Sequence, residues 1–172
     1  MSFVSLRISP RRAFWFFAGV SALLVVLHIS GQTARLGFGH GRLHGLVPLF
    51  DLEEENNIPT FWSSILWLTA GTITCVVAFH ARRAAGRDWW YWSGLCALFF
   101  IFGVDEIVQF HERMGGLVTR LLRFEGIRTT GIMYYSWTIP AIVFALAVFL
   151  AYFRFLTRLP RGVLALFLVA GA

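Results

Sequence analysis

Four long apolar runs constrain this chain more than any motif does. Residues 13–30, 61–80, 89–110 and 132–153 are each mostly apolar, and about 20 such residues are what a helix needs to cross a bilayer. Lipid offers no partner to a backbone N–H or C=O, so spans of this kind close their own hydrogen bonds as helices. The expected fold is all-α: a polytopic transmembrane bundle forming one integral membrane domain over residues 1–172. A fifth run opens at Val163 and reaches Ala172 after ten residues, about 15 Å of helix or half a bilayer. A terminal carboxylate there would be costly, so the expectation is that the natural chain continues.

The charged fraction, 14%, supports this reading, because soluble domains carry about a quarter. All fifteen basic residues are Arg, and they flank apolar runs. That placement points to a lipid bilayer and away from nucleic acid as the partner. Cys75 and Cys96 lie inside apolar runs, with no CxxC motif and no disulfide framework. Arg11 and Arg12 before an apolar run faintly suggest a twin-arginine signal. No small-x-small cleavage site follows Ser30, so the first helix is expected to stay uncleaved.

Arginine sets orientation. Nine arginines (7, 11, 12, 82, 83, 87, 154, 158 and 161) fall on one side, close to helix ends, and six on the other, spread over longer loops. The expected placement is a bacterial inner membrane with the N-terminus in the cytoplasm. Eight of the nine acidic residues, all but Asp88, then lie at or toward the outer side, with His28, His40, His44 and His111.

The sharpest feature is FFIFGVDEIVQFHERMGG, residues 99–116. On a continuous helix entering at Trp89, Asp105 stands about 24 Å up the axis, just under the outer interface. At 100° per residue Asp105, Gln109 and Glu112 share a stripe, and His111 sits about 120° away. Asp105 and His111 are therefore not expected to chelate one ion from this helix alone. A second polar stretch, DLEEENNIPT at 51–60, precedes the second span. Pro59 near the first helical position, or Thr60 as cap, suits a helix start, and the acids complement its dipole. Ser63 and Ser64 are expected to face the third span.

Because the second span starts and the third ends outside, one outer polar pocket is expected. It gathers Asp51, Glu53, Glu55, Asp105, Glu106, Gln109, His111 and Glu112. Interfacial solvation and pairing with arginines such as Arg113 would account for these charges without any function. The alternative is a functional site, since ionisable residues inside spans are functional candidates. Its cofactor would be a divalent cation, with calcium, magnesium or manganese ahead of zinc for oxygen ligands. His28, His40 and His44 are further ligand candidates, although neither HxxxH nor HExxH occurs.

The glycine-rich GQTARLGFGHGRLHG, 31–45, lacks GK[ST] and a preceding strand, so it is no phosphate loop. A flexible or re-entrant connection is expected. Residues 117–124 set Leu117, Leu121 and Phe124 opposite Arg113, Arg120 and Arg123, the pattern of a helix lying in the interface. Trp89–Trp92 mark an inner aromatic belt, and Tyr134, Tyr135 and Trp137 an outer one. Gly71, Gly94 and Gly103 permit close helix approach, and Pro140 is placed to kink the fourth span.

The D-L-E-E-E-N-N-I-P-T stretch (51–60) and the D-E-x4-H-E motif (105, 106, 111, 112) resemble those of uncharacterised bacterial multi-pass membrane proteins. The resemblance covers most of the first three helices and implies membrane class without an activity. Intramembrane ceramidase-like hydrolases, which pair Ser, Asp and three His around zinc, fit less well because their late HxxxH pair is absent. The expected role is a non-catalytic accessory or assembly subunit, packing its aromatic helices against other membrane proteins. The alternative is a membrane enzyme or cation-binding protein with a carboxylate and His site at the outer face. A proton or ion path is the weakest case, because the inner halves of the spans carry almost no ionisable groups.

Overall fold

A computed structural model describes residues 9–39, 41–124 and 138–170 of the chain; the side chains of 119, 121–124 and 170 lie outside this set. The described residues are helical with no strand. Helix α1 runs Pro10–Phe38, α2 Leu46–Leu49 after a 3-10 turn at Leu43–Gly45, and α3 Ile58–Arg83. Then come α4 Trp89–Val108, α5 Phe110–Phe124, α6 Thr138–Leu156 and α7 Arg161–Ala170. Helices α1, α3, α4 and α6 are long and apolar enough to span a membrane. His40, residues 132–137 of the expected fourth span with their aromatic belt, and residues 171–172 lie outside the described residues.

The helix ends follow from local chemistry. Pro10 opens α1, where its missing N–H costs nothing, and Gly39 closes it at φ 69°, a conformation glycine adopts without a Cβ penalty. Asn57 caps α3: its Oδ1 accepts from the Thr60 backbone N–H at 3.1 Å. Ile58 is thus the first helical residue and Pro59 the second: of the two expected starts, Pro59 near the first helical position agrees with the structure and Thr60 as cap does not. Pro140 is the third described residue of α6; the residues before Thr138, on which a kink there depends, lie outside the described set.

Helices α3 and α4 form the best-packed pair. Gly103 lets them meet: a Cβ there would lie 2.9 Å from Leu68 side-chain atoms and 3.2 Å from Trp67 Cβ. The buried Ser64 hydroxyl donates to the Gly103 carbonyl at 2.6 Å. Cys75 and Cys96 are free thiols facing each other across this pair. Toward the N-terminal end of α4, Phe155 of α6 is buried among Tyr91, Trp92 and Tyr152, and Tyr152 donates to the Tyr91 carbonyl. Helix α1 leans on α3 through Phe16, Phe17 and a Trp62–Ser21 hydrogen bond. Arg158 pairs with Asp88 at 3.7 Å, joining two loops that the arginine distribution puts on one side.

Candidate functional site

The third span does not continue to Phe110. It ends at Val108, and Gln109 takes a left-handed conformation, φ 54° and ψ 43°. Its N–H bonds to the Asp105 carbonyl at 2.7 Å, so the turn closes α4. Helix α5 starts at once and is strongly amphipathic over fifteen residues, which extends the expected 117–124 segment by seven residues toward the N-terminus. Phe110 and Leu117 of its apolar side are exposed; the side chains of Leu121 and Phe124 lie outside the described set.

This break corrects the wheel drawn on a continuous helix. Asp105 and His111, placed 120° apart by that wheel, meet directly. The Asp105 carboxylate accepts the His111 backbone N–H at 3.1 Å and lies 2.7 Å from Nδ1 of its ring. The first contact caps α5, whose early N–H groups have no partner within the helix. The second fixes the imidazole and directs Nε2 to the Glu55 carboxylate, 3.1 Å away. Gln109 donates its side-chain N–H to the other oxygen of Glu55. Glu112 completes the group: ligand atoms of Glu55, His111 and Glu112 all lie within 4.8 Å of one another. Glu106 turns the other way and accepts from Ser63 at 2.9 Å.

The electrostatics at His111 balance two effects. Partial burial by itself would lower its pKa. Hydrogen bonds and charges from Asp105, then Glu55, outweigh that and raise it above the ordinary 6.5. The two carboxylates therefore stabilise the imidazolium relative to a free imidazole.

Asp51 and His28 form a second group rather than joining the first. Asp51 is 3% exposed. It accepts from Gln32 at 3.0 Å and from the Glu53 backbone at 3.0 Å, with Arg35 at 4.0 Å. His28 Nδ1 accepts the Leu52 N–H at 3.1 Å and lies 3.2 Å from Asp51 Oδ1. One nitrogen cannot accept and donate together, so Nδ1 serves Leu52 when it carries no proton and Asp51 when it carries one. Glu53 contributes its backbone to this group, and its side chain is exposed. His44 sits in the 3-10 turn at φ 57°, apart from both groups. Arg113 makes no ion pair among the described residues.

Asn57, unremarked in the sequence beyond its place in the loop, holds the two groups in register. Besides capping α3, its Nδ2 donates to the carbonyls of Pro48 (3.3 Å), Glu54 (2.9 Å) and Asp51. It thereby folds the 48–57 loop that carries Asp51 and Glu55. Its signal was an Asn two residues before a proline at a helix start. Gln32 had no such signal.

Spanning helices with an ordered polar cluster at one end define a multi-pass membrane protein. Over residues 15–172 the chain matches the family described as Domain of unknown function (DUF8692). It belongs to that family. No curated protein and no solved structure matches it.

Proposed function

We propose that this membrane protein binds a divalent cation at its outer face through Glu55, His111 and Glu112. The observation that carries the reading is His111 set between Asp105 and Glu55. A ligating histidine commonly gives its second ring N–H to a carboxylate, which fixes tautomer and orientation; Asp105 stands at that position. A metal would replace the proton on Nε2, and rotamer changes of the exposed Glu55 and Glu112 bring their oxygens to the 2.0–2.2 Å of a metal bond. One imidazole with two carboxylates suits manganese, which takes both ligand types, better than the calcium or magnesium an all-oxygen set would favour.

Metal analysis of the full chain, purified in a maltoside detergent, tests this. The expected result is about one manganese or zinc ion per chain, lost in His111→Gln and Glu55→Gln and kept in Ser63→Ala. No bound metal, with no thermal stabilisation by added Mn2+ or Zn2+, refutes it. We place the protein in a bacterial inner membrane with its N-terminus in the cytoplasm; the arginine distribution supports the orientation, and the resemblance of its two polar motifs to bacterial multi-pass proteins supports the location.

A second reading, an accessory subunit within a larger membrane complex, is favoured by the open helix faces. Only 6% of the spanning windows of α1 and α6 is buried within the chain, against 22% for α3. Cross-linking in native membranes tests it: a fixed set of partner proteins supports this role, and the chain alone in lipid removes it.

A further inference from the structure

The second polar group opens onto a cleft of about 550 Å³ between the end of α1 and the 41–54 loop. Its chemistry is unlike that of the His111 site. Two basic residues, Arg35 and Arg42, and two acidic ones, Asp51 and Glu54, line it together. Asp51 is occupied by the fold, as described, with Arg35 near it. Arg42 and Glu54 form no ion pair or side-chain hydrogen bond among the described residues, so the lining includes one cation and one anion that the fold does not pair. Gly41 and Gly45 line it with backbone alone.

Depth identifies what reaches this cleft. Arg12 and Arg35 lie in one helix, twenty-three residues apart, about 35 Å at 1.5 Å per residue. The hydrocarbon layer is about 30 Å thick. With Arg12 at one edge, Arg35 stands in the opposite headgroup layer. A dianion would meet Asp51 and Glu54, and a dication would meet the arginines. A dipolar group with a phosphate at one end and an ammonium at the other satisfies both.

We infer that this outer cleft binds a phosphoethanolamine group, the phosphate on Arg42 and Arg35 and the primary ammonium on Glu54. Ammonium N–H groups donate to a carboxylate in strong charge-assisted hydrogen bonds. A trimethylammonium has no N–H, so phosphocholine is discriminated against. The group comes either on a membrane lipid or free in solution, with the same contacts.

The test is thermal unfolding of the full chain in a maltoside detergent with four additives: short-chain phosphatidylethanolamine, phosphatidylcholine, phosphatidylglycerol, and glycerophosphoethanolamine. Phosphatidylethanolamine is expected to stabilise most. Equal stabilisation by glycerophosphoethanolamine assigns recognition to the head alone; stabilisation by the lipid only assigns a membrane source. Arg42→Gln and Glu54→Gln should each weaken the effect about tenfold in concentration, the loss expected for one charged hydrogen bond. Arg42→Lys, which keeps the charge, should retain most of it. Equal stabilisation by ethanolamine and choline lipids overturns the inference. So does an ethanolamine preference that survives in both Gln variants.

Discussion

Asn57→Asp separates the two tasks of one side chain. The substitution keeps the shape and the oxygen that caps α3, and removes only the donors. Nδ2 has two N–H groups and three carbonyl acceptors, from Pro48, Asp51 and Glu54, so one N–H is shared. Losing two hydrogen bonds costs about 1 kcal/mol each. Placing a carboxylate oxygen against those carbonyls adds repulsion, and a negative charge at the helix N-terminus returns about 0.3–1 kcal/mol. The net expectation is about 2–3 kcal/mol of destabilisation at neutral pH. Acidification lets the introduced carboxyl donate one hydrogen bond, so the gap to wild type should narrow when both are measured at the same pH. Unfolding in mixed dodecylmaltoside and SDS reads the difference. A variant within about 0.5 kcal/mol of wild type at neutral pH would show that this loop is held by something other than Asn57.

Gly103→Ala should destabilise the α3–α4 pair by about 1–3 kcal/mol, because its Cβ would sit 2.9 Å from Leu68. Gly71→Ala should cost less, since the three atoms nearest its Cβ belong to the Phe100 ring, at 3.1–3.3 Å; the same unfolding assay compares them. A base with a raised folded-state pKa binds its proton more tightly when folded, so the stability from His111 in metal-free protein is complete below about pH 6.5 and lost as pH rises through the raised value. Manganese needs Nε2 unprotonated, so its stabilisation should run the opposite way and grow with pH; parallel profiles with and without the ion check both signs. In a background lacking Cys75 and Cys96, Ala85→Cys should be shielded from an impermeant maleimide in intact cells, and labelling from outside reverses the topology.

The spans were legible because apolar length is a property of many residues together, and small errors at either end leave it standing. The site was legible only in part because it turns on single residues. Gln109 enters the left-handed region with no glycine or asparagine to announce it, and its two dihedrals redirect the fifteen residues that follow. A helical wheel carried across such a point misassigns every later side chain, and so His111 was set apart from Asp105. Glu55 was expected near Asp105, and it comes there through the Asn57-bound loop. His28 and Asp51 meet across the end of α1 and the 41–54 loop, a long-range pairing that no periodicity encodes.

Asp105 poses the hardest question of attribution, because capping and function use the same carboxylate. Where α4 ends and α5 begins, the first N–H groups of α5 need acceptors, and Asp105 supplies one to His111. The cap alone accounts for an acid at this depth. It also brings the ring of His111 against the other carboxylate oxygen, so a purely structural need creates the orienting contact that a metal site requires. Asp105→Asn divides the two. Its amide oxygen still accepts the His111 backbone N–H, at a cost of roughly 1 kcal/mol for the weaker neutral bond. The charge that favours the imidazolium is gone, so the His111 pKa should fall toward or below its ordinary value, readable by NMR titration of the ring. If Asp105 only caps, manganese content should match wild type while stability drops slightly. If it orients a ligand, the fold should persist and manganese affinity fall about 10–100-fold, the usual loss for such a partner. Asp105→Ala, lacking any acceptor, should lose both.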